Sequence, residues 1–167
     1  MSQWASAYAE NALHLSKTIG DLLGPCLFAV AMGICRTFYG KFGPRLNLHR
    51  FMLGSGVLCL LCYVLASMSG NPVLGLVGCV VCGCSVGIMW PGTISLCTVK
   101  LPKGGTAMFA LLAMAGDLGG SIGPGIVGRI AQDAGDQLQV GLRVGCVFPI
   151  VLIIALILMK RATTPKA

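Results

Sequence analysis

The chain has 167 residues, of which 56% are hydrophobic and only 10% are charged, and its mean hydropathy is +0.86. Soluble domains carry about 25% charged residues, so this composition excludes a soluble globular protein and predicts an integral membrane protein. The net charge of +7 comes from cations scattered between apolar segments. They form no basic stripe with interleaved aromatic residues, so we expect no nucleic-acid partner and the lipid bilayer as the surroundings.

Five apolar segments reach the roughly 20 residues that a membrane-spanning helix needs. They cover residues 20–39, 51–69, 73–99, 106–130 and 141–159. The turns between them are short and rich in glycine and proline, which predicts antiparallel neighbours. The sequence therefore predicts an all-α membrane protein with a five-helix bundle at 20–159. Residues 1–19 are interpreted as the end of an incomplete helix with an outer loop, and residues 160–167 as a cytoplasmic tail.

Lysines and arginines are unequally divided between the two ends of these segments. Nine of them fall on one side: Arg36, Lys41, Arg45, Arg50, Lys100, Lys103, Lys160, Arg161 and Lys166. The positive-inside rule places that side in the cytoplasm, so we expect a multi-pass protein of the cell membrane with its C-terminus inside and its N-terminus outside. A native N-terminus is seldom translocated without a signal. The odd number of spans therefore indicates missing upstream helices.

The run at residues 33–45, GICRTFYGKFGPR, joins the first two segments on the inner side. Glycines there are suited to ending helices, and cations mark a cytoplasmic turn. We interpret the run as a cytoplasmic loop. Its motif residues are Arg36, Lys41, Gly43 and Arg45.

Trp90 and Pro91 lie inside the third segment. Trp90 is nine residues from the inner end near Val99, which is about 14 Å by helical rise. Pro91 has no N–H, so the carbonyl of Gly87 lacks its helical partner and a bend beside the indole is favoured. Such a bend could gate a cavity. Trp90 belongs either to a binding site or to the packing of the bundle or its lipid surface.

Asp117 is an acid deep inside the fourth segment. It follows Thr106 by eleven residues, which is about 16 Å of helix in a hydrocarbon core of roughly 30 Å, so it lies close to the midplane. Three roles remain open: a group that exchanges a proton, an acceptor for substrate hydroxyls, or a structural acid capped by Ser121 and neighbouring helices. An acid at this depth is a candidate functional residue.

Small residues four apart allow helices to approach closely. Among the glycine pairs with this spacing are Gly83 and Gly87, Gly116 and Gly120, and Gly119 and Gly123. We interpret them as packing surfaces. Pro124 and Pro149 are expected to bend their helices as Pro91 does.

The cysteine spacings Cys59-x2-Cys62 and Cys79-x2-Cys82-x-Cys84 resemble metal or redox motifs, but both lie within spans and have no histidine nearby. Thiols in such positions behave as small buried hydrophobic groups. We therefore expect no metal and no cofactor. The sequence also has no phosphate loop, nucleophile elbow or pair of carboxylates, so we do not expect an enzyme.

The run at 33–45 resembles the loop signature of the major facilitator superfamily, in the copy found in the C-terminal half of those transporters. Lys41, Gly43 and Arg45 match the signature. Arg36 and Gly40 stand where it has its first glycine and its aspartate. The missing acid removes the charge latch that the full signature provides.

Two later runs extend this resemblance. GDLGGSIGP, which begins at Gly116, resembles the eleventh helix of such transporters, and GIMWPGTISL, which begins at Gly87, resembles the tenth helix of fucose-permease-like sugar/proton symporters. The resemblance implies that residues 20–159 are helices eight to twelve, the partial C-terminal half of the fold. It implies a truncated transporter of a small polar solute, with a sugar and proton coupling as open options, in which Asp117 and Trp90 bind the solute or couple the proton.

In this superfamily two halves rock around a central site. The resemblance therefore implies a missing N-terminal half as partner, and the chain alone is not expected to transport. Two other classes remain open. A non-catalytic assembly subunit fits the glycine-rich helix faces, whereas a small membrane enzyme would need a His, Lys or second acid beside Asp117.

Overall fold

The computed structural model describes residues 5–6, 10, 17–135 and 137–163. Within these residues the chain forms helices and short turns, without strands. We label the helices α1 (Lys17–Phe42), α2 (Leu48–Met68), α3 (Pro72–Val86), α4 (Met89–Lys100), α5 (Gly105–Asp133), α6 (Leu138–Gly145) and α7 (Val147–Thr163), with a 3-10 turn at Gly43–Arg45.

Five stretches of the described chain are long and apolar enough to cross a membrane: Thr18–Phe42, Leu48–Met68, Val73–Lys100, Gly105–Asp133 and Leu138–Lys160. The predicted five-span, all-α fold is therefore confirmed. The third span combines α3 with α4, and the fifth combines α6 with α7. The bounds differ at the ends: the first span continues to Phe42, and α7 continues to Thr163, into the predicted tail.

The second and third spans each begin at an asparagine cap. The side chain of Asn47 accepts a hydrogen bond from the backbone N–H of Arg50 at 3.2 Å, and that of Asn71 accepts one from Val73 at 2.9 Å. Each cap satisfies a backbone donor that the first helical turn leaves without a partner. Pro72 follows Asn71 at the first helical position, where a missing N–H costs nothing.

The third span is interrupted at Gly87 and Ile88, which separate α3 from α4. Pro91 lies four residues after Gly87 and cannot donate to its carbonyl. The fifth span repeats this arrangement, because Cys146 separates α6 from α7 just ahead of Pro149. Pro149 itself lies in the first turn of α7.

Proline alone does not break these helices. Pro25 lies inside α1 and Pro124 inside α5, and both helices are assigned without interruption. The expected bend at Pro124 is therefore not accompanied by a break in helical structure.

The helix α3 packs between α1 and α2. It approaches α1 closely at Gly83, where an added Cβ would overlap the backbone carbonyl of Phe28. One turn later, a Cβ on Gly87 would lie 2.9 Å from the carbonyl oxygen of Met32. The two backbones meet at these glycines, so this pair packs helices as small residues do elsewhere in membrane proteins.

Cys59, Cys62 and Cys82 form a buried cluster where α2 meets α3. The sulfurs of Cys59 and Cys82 are 3.8 Å apart, well beyond the roughly 2.05 Å of a disulfide, and both are free thiols. Among the described residues, no group of three or more His, Cys, Asp or Glu side chains is arranged to hold a metal ion.

The helix α5 lies at the edge of the bundle. Gly123, Val127 and Ala131 are buried on one face of its second half, where it packs on α6. In its most apolar stretch only 11% of residues are buried within the chain, against 44% in the third span. Most of its surface, including the first half, is therefore open.

Candidate functional site

The indole ring of Trp90 lies against α5. Trp90 is the second residue of α4, directly after the break in the third span. Its Cζ3 and Cη2 atoms are 2.8 and 3.1 Å from the position that a Cβ on Gly116 would occupy. The structure thus brings Trp90 to the residue that precedes Asp117, while 45% of the surface of Trp90 stays exposed.

Asp117 is exposed, so the described part of the chain does not supply the burial that the sequence argument assumed. Ser121 does not cap its carboxylate. The Ser121 hydroxyl donates instead to the backbone carbonyl of Asp117 at 2.9 Å. The prediction that Ser121 caps the Asp117 carboxylate is therefore wrong. The proton-exchange and solute-acceptor roles of Asp117 remain predictions.

The position of Asp117 on α5 follows from helical geometry. Gly116, Gly123 and Val127 lie on the face that meets the rest of the bundle. Successive residues are rotated by about 100°, so Asp117 lies to the side of the Trp90 contact. Asp117 thus follows the Trp90 contact at Gly116 by one residue and stays exposed.

The predicted cytoplasmic loop at 33–45 is corrected by the structure. Helix α1 continues through Arg36 and Lys41 to Phe42, and only Gly43 and Arg45 lie in the turn that follows. Glycine inside a helix costs only about 1 kcal/mol relative to alanine, so Gly33 and Gly40 do not by themselves end α1. Arg36 consequently lies six residues, or about 9 Å, inside the end of the helix.

Arg36 binds the carbonyl that Pro91 leaves without a helical partner. Its Nε donates to the backbone oxygen of Gly87 at 2.9 Å. Hydrogen bonds from a charged donor are stronger than neutral ones, at about 1.5–3 kcal/mol. A side chain of the first span therefore stabilises the break in the third.

A cavity of about 300 Å³ opens beside this hydrogen bond, and its lining residues are Arg36, Tyr39, Gly40, Ile88, Trp90, Pro91, Gly92 and Ser95. Of the described residues in this wall, Arg36 alone is charged. Ser95 donates its hydroxyl proton to the backbone oxygen of Pro91 at 2.9 Å. The cavity thus combines a guanidinium, two hydroxyl-bearing residues and the indole.

Sequence reasoning did not select Tyr39 and Ser95. Helical spacing could have indicated both residues, because Tyr39 follows Arg36 by three residues and Ser95 follows Pro91 by four. Residues at these spacings share a helix face. The signal depends on treating Arg36 as part of the first helix rather than as a loop residue.

A second cavity, of about 220 Å³, lies between α5 and the fifth span. It is lined by Tyr63, Gly119, Gly123, Pro124, Val127, Leu142 and Phe148. Pro124 thus forms part of a mainly apolar wall. None of the described residues that line it carries a charge.

In the described part of the chain, five apolar helical spans joined by short turns define a multi-pass α-helical membrane protein. One span is broken beside a cavity that Arg36 lines, and broken spans beside a site are typical of transporters. A family model described as the Major Facilitator Superfamily matches residues 1–124 of the 167. The chain therefore belongs to the Major Facilitator Superfamily, whose members are transporters. No curated protein and no solved structure matches the chain.

Proposed function

We propose that the chain forms the C-terminal half of a secondary active transporter for a small polar solute. It works by alternating access and requires an N-terminal half to do so. The observation that carries this proposal is the position of Trp90: it follows the break in the third span, lines the cavity beside Arg36 and contacts the helix of Asp117 at Gly116. Broken helices beside polar groups within the membrane are typical of transporter binding sites.

The open face of α5 supports the need for a second half. Asp117 lies on this face within a membrane-spanning helix. A charged carboxylate facing lipid at the bilayer centre costs about 2.5–3.5 kcal/mol. In our proposal this face lines a central cavity, and an N-terminal half forms its other wall.

Asp117 is proposed to couple a proton to solute movement or to accept hydrogen bonds from solute hydroxyls. A sugar-like solute is the first candidate, because the run from Gly87 to Leu96 resembles the tenth helix of fucose-permease-like symporters. The cations gathered at one side support a C-terminus in the cytoplasm and an N-terminus outside, in the cell membrane.

The test measures accumulation of radiolabelled sugars in membrane vesicles under an imposed pH gradient. Vesicles from cells that express the chain alone are compared with vesicles that contain it fused to an N-terminal half, which in-frame sequence upstream would identify. We expect uphill accumulation only with the fusion. Uptake by the chain alone would contradict the need for a second half, and a fusion that moves no sugar would contradict the solute class.

A second candidate, a non-catalytic assembly subunit, is favoured by one specific observation. A Cβ on Gly119 or Gly120 would meet nothing within 4 Å, so these glycines of α5 offer a bare surface for another helix. Copurification of the chain in a stable complex with an unrelated membrane protein would support this candidate. We propose no enzymatic role, since the superfamily consists of transporters.

A further inference from the structure

Arg36 is a charged residue within a membrane-spanning helix, and its position needs a physical reason. It lies six residues inside the end of α1, about 9 Å, and its side chain is exposed. Ionisable residues inside spans usually face a partner or a water-filled cavity, because lipid solvates their charge poorly. Arg36 has both a backbone partner, Gly87, and a cavity beside it.

Stabilising the break in the third span uses only one N–H donor of the Arg36 guanidinium. The group has five N–H donors, and one of them, on Nε, binds the Gly87 oxygen. Within the described part of the chain, this is the one hydrogen bond that the Arg36 side chain makes. Four donors on the two terminal nitrogens therefore remain for a ligand.

The cavity wall is suited to an anion attached to a small ring or chain. No Asp or Glu is among its described lining residues, so Arg36 gives the wall a net positive charge. Guanidinium groups bind carboxylate and phosphate in a forked, two-bond geometry that an ammonium cannot reproduce. Tyr39 and Ser95 add hydroxyl groups, and the exposed part of the Trp90 ring offers an apolar surface.

We infer that this cavity binds a carboxylate or phosphate group of a small soluble molecule, with Arg36 holding the anion and Trp90 contacting the remainder. The volume of about 300 Å³ is at the lower end for small-molecule sites and fits a solute of about monosaccharide size. The inference rests on the proposed transport function in one respect only: the solute that the transporter carries is then an anion. Binding itself does not require transport.

The experiment measures binding through the fluorescence of Trp90. Trp4 and Trp90 are the two tryptophans, so Trp4→Phe makes Trp90 the only indole in the chain. The variant is placed in nanodiscs of phosphatidylcholine and titrated with glucuronate, with glucose as the matched neutral sugar, and with inorganic phosphate. We expect a saturable change with glucuronate and phosphate, and affinity for glucose weaker by at least about tenfold.

Three further variants separate anion binding from a purely structural role of Arg36. Arg36→Gln should weaken glucuronate binding by about tenfold or more, and Arg36→Lys by less, because it keeps the charge and loses the fork. Arg50→Gln is the control. It removes an exposed arginine that the sequence analysis assigns to the same membrane side as Arg36 and that does not line the cavity, and it should change the affinity for glucuronate by less than about twofold.

Arg36→Gln could also fail to fold, because Gly87 would lose its partner. Combining it with Pro91→Ala restores a backbone N–H for the Gly87 carbonyl, so the double variant keeps the helix satisfied while lacking the guanidinium. Glucuronate binding by this folded double variant at wild-type affinity would overturn the inference. Equal affinity of the Trp4→Phe protein for glucose and glucuronate would also overturn it.

A lipid headgroup is another source of the same phosphate chemistry. Exchanging phosphatidylcholine for phosphatidylglycerol tests it. A change in Trp90 emission that depends on Arg36 and on phosphatidylglycerol, with no response to glucuronate or phosphate, would overturn the assignment to a soluble anion. If glucuronate binds but the fused transporter moves neither glucuronate nor a neutral sugar, the proposed transport function fails while the site stands.

Discussion

The indole ring of Trp90 fills the space in which a side chain on Gly116 would lie, with Cζ3 only 2.8 Å from the Cβ position. This relationship joins the broken third span to α5, the helix that carries Asp117. It depends on glycine at 116, because any Cβ there would displace the ring. The position of Trp90 in the proposed site is thus set from a neighbouring helix.

Gly116→Ala should therefore move the indole without unfolding the chain. The half-exposed ring has space to turn aside, so we expect a shift of Trp90 emission and increased quenching by acrylamide in the Trp4→Phe background. Gly120→Ala is the matched control, because its Cβ would meet nothing within 4 Å and it lies one turn away on the same helix. Identical spectra for both variants would contradict the contact.

Gly83→Ala should be strongly destabilising, because its Cβ would overlap the backbone of Phe28 in α1 and neither backbone can turn aside. We expect a loss of about 1–3 kcal/mol in unfolding free energy, the usual cost of overpacking. Gly54→Ala in α2 is the control: a Cβ there meets no neighbouring atom. It should be neutral or slightly stabilising, since alanine is the better helix former. Denaturant titration in mixed micelles measures both, and equal stability of the two variants would refute the close approach.

The hydrogen bond from Arg36 to Gly87 should be coupled energetically to Pro91. Arg36→Gln removes the partner of the Gly87 carbonyl and should destabilise the chain. The same change in a Pro91→Ala background should cost less, because the backbone N–H that this substitution introduces donates to that carbonyl. A double-mutant cycle should give a coupling of about 1 kcal/mol or more. Additive effects within about 0.3 kcal/mol would show that the two residues act independently.

Asp117→Asn, made in a transporter that contains both halves, should abolish accumulation against a gradient and leave downhill exchange. Asparagine preserves size and hydrogen bonding but cannot release a proton, so coupling is lost while the path stays open. Asp133→Asn, at the C-terminal end of the same helix, is the control and should leave accumulation unchanged. Undiminished uphill uptake by the Asp117→Asn variant would contradict a role of Asp117 in proton coupling.

Much of the fold could be predicted because its signals are local. About twenty apolar residues define a span whatever surrounds them, and Asn47 and Asn71 begin their helices through contacts two or three residues away. The error at the end of the first span has a local cause too. Gly40 and Lys41 are typical of a turn, yet α1 passes through both, because nothing interrupts its backbone hydrogen bonds before Phe42.

The cavity was beyond prediction because its parts come from distant positions in the chain. Pro91 indicates that the Gly87 carbonyl lacks a helical donor, and this was predictable from two residues four apart. The donor is Arg36, 51 residues earlier on a different helix, and no pattern in the sequence relates them. Asp117 illustrates the same limit, since its depth in the span follows from sequence while its surroundings do not.

The sequence by itself determined that five segments are long and apolar enough to span a membrane, where prolines deprive carbonyls of their donors, and that one acid lies deep within such a segment. These properties depend on hydropathy and on hydrogen bonds between residues four apart. Only the tertiary structure decided that Arg36 satisfies Gly87, that Trp90 lies against Gly116, and that a charged cavity opens beside them. Each of these contacts joins different helices, and helix packing, rather than local backbone preference, sets which side chains meet.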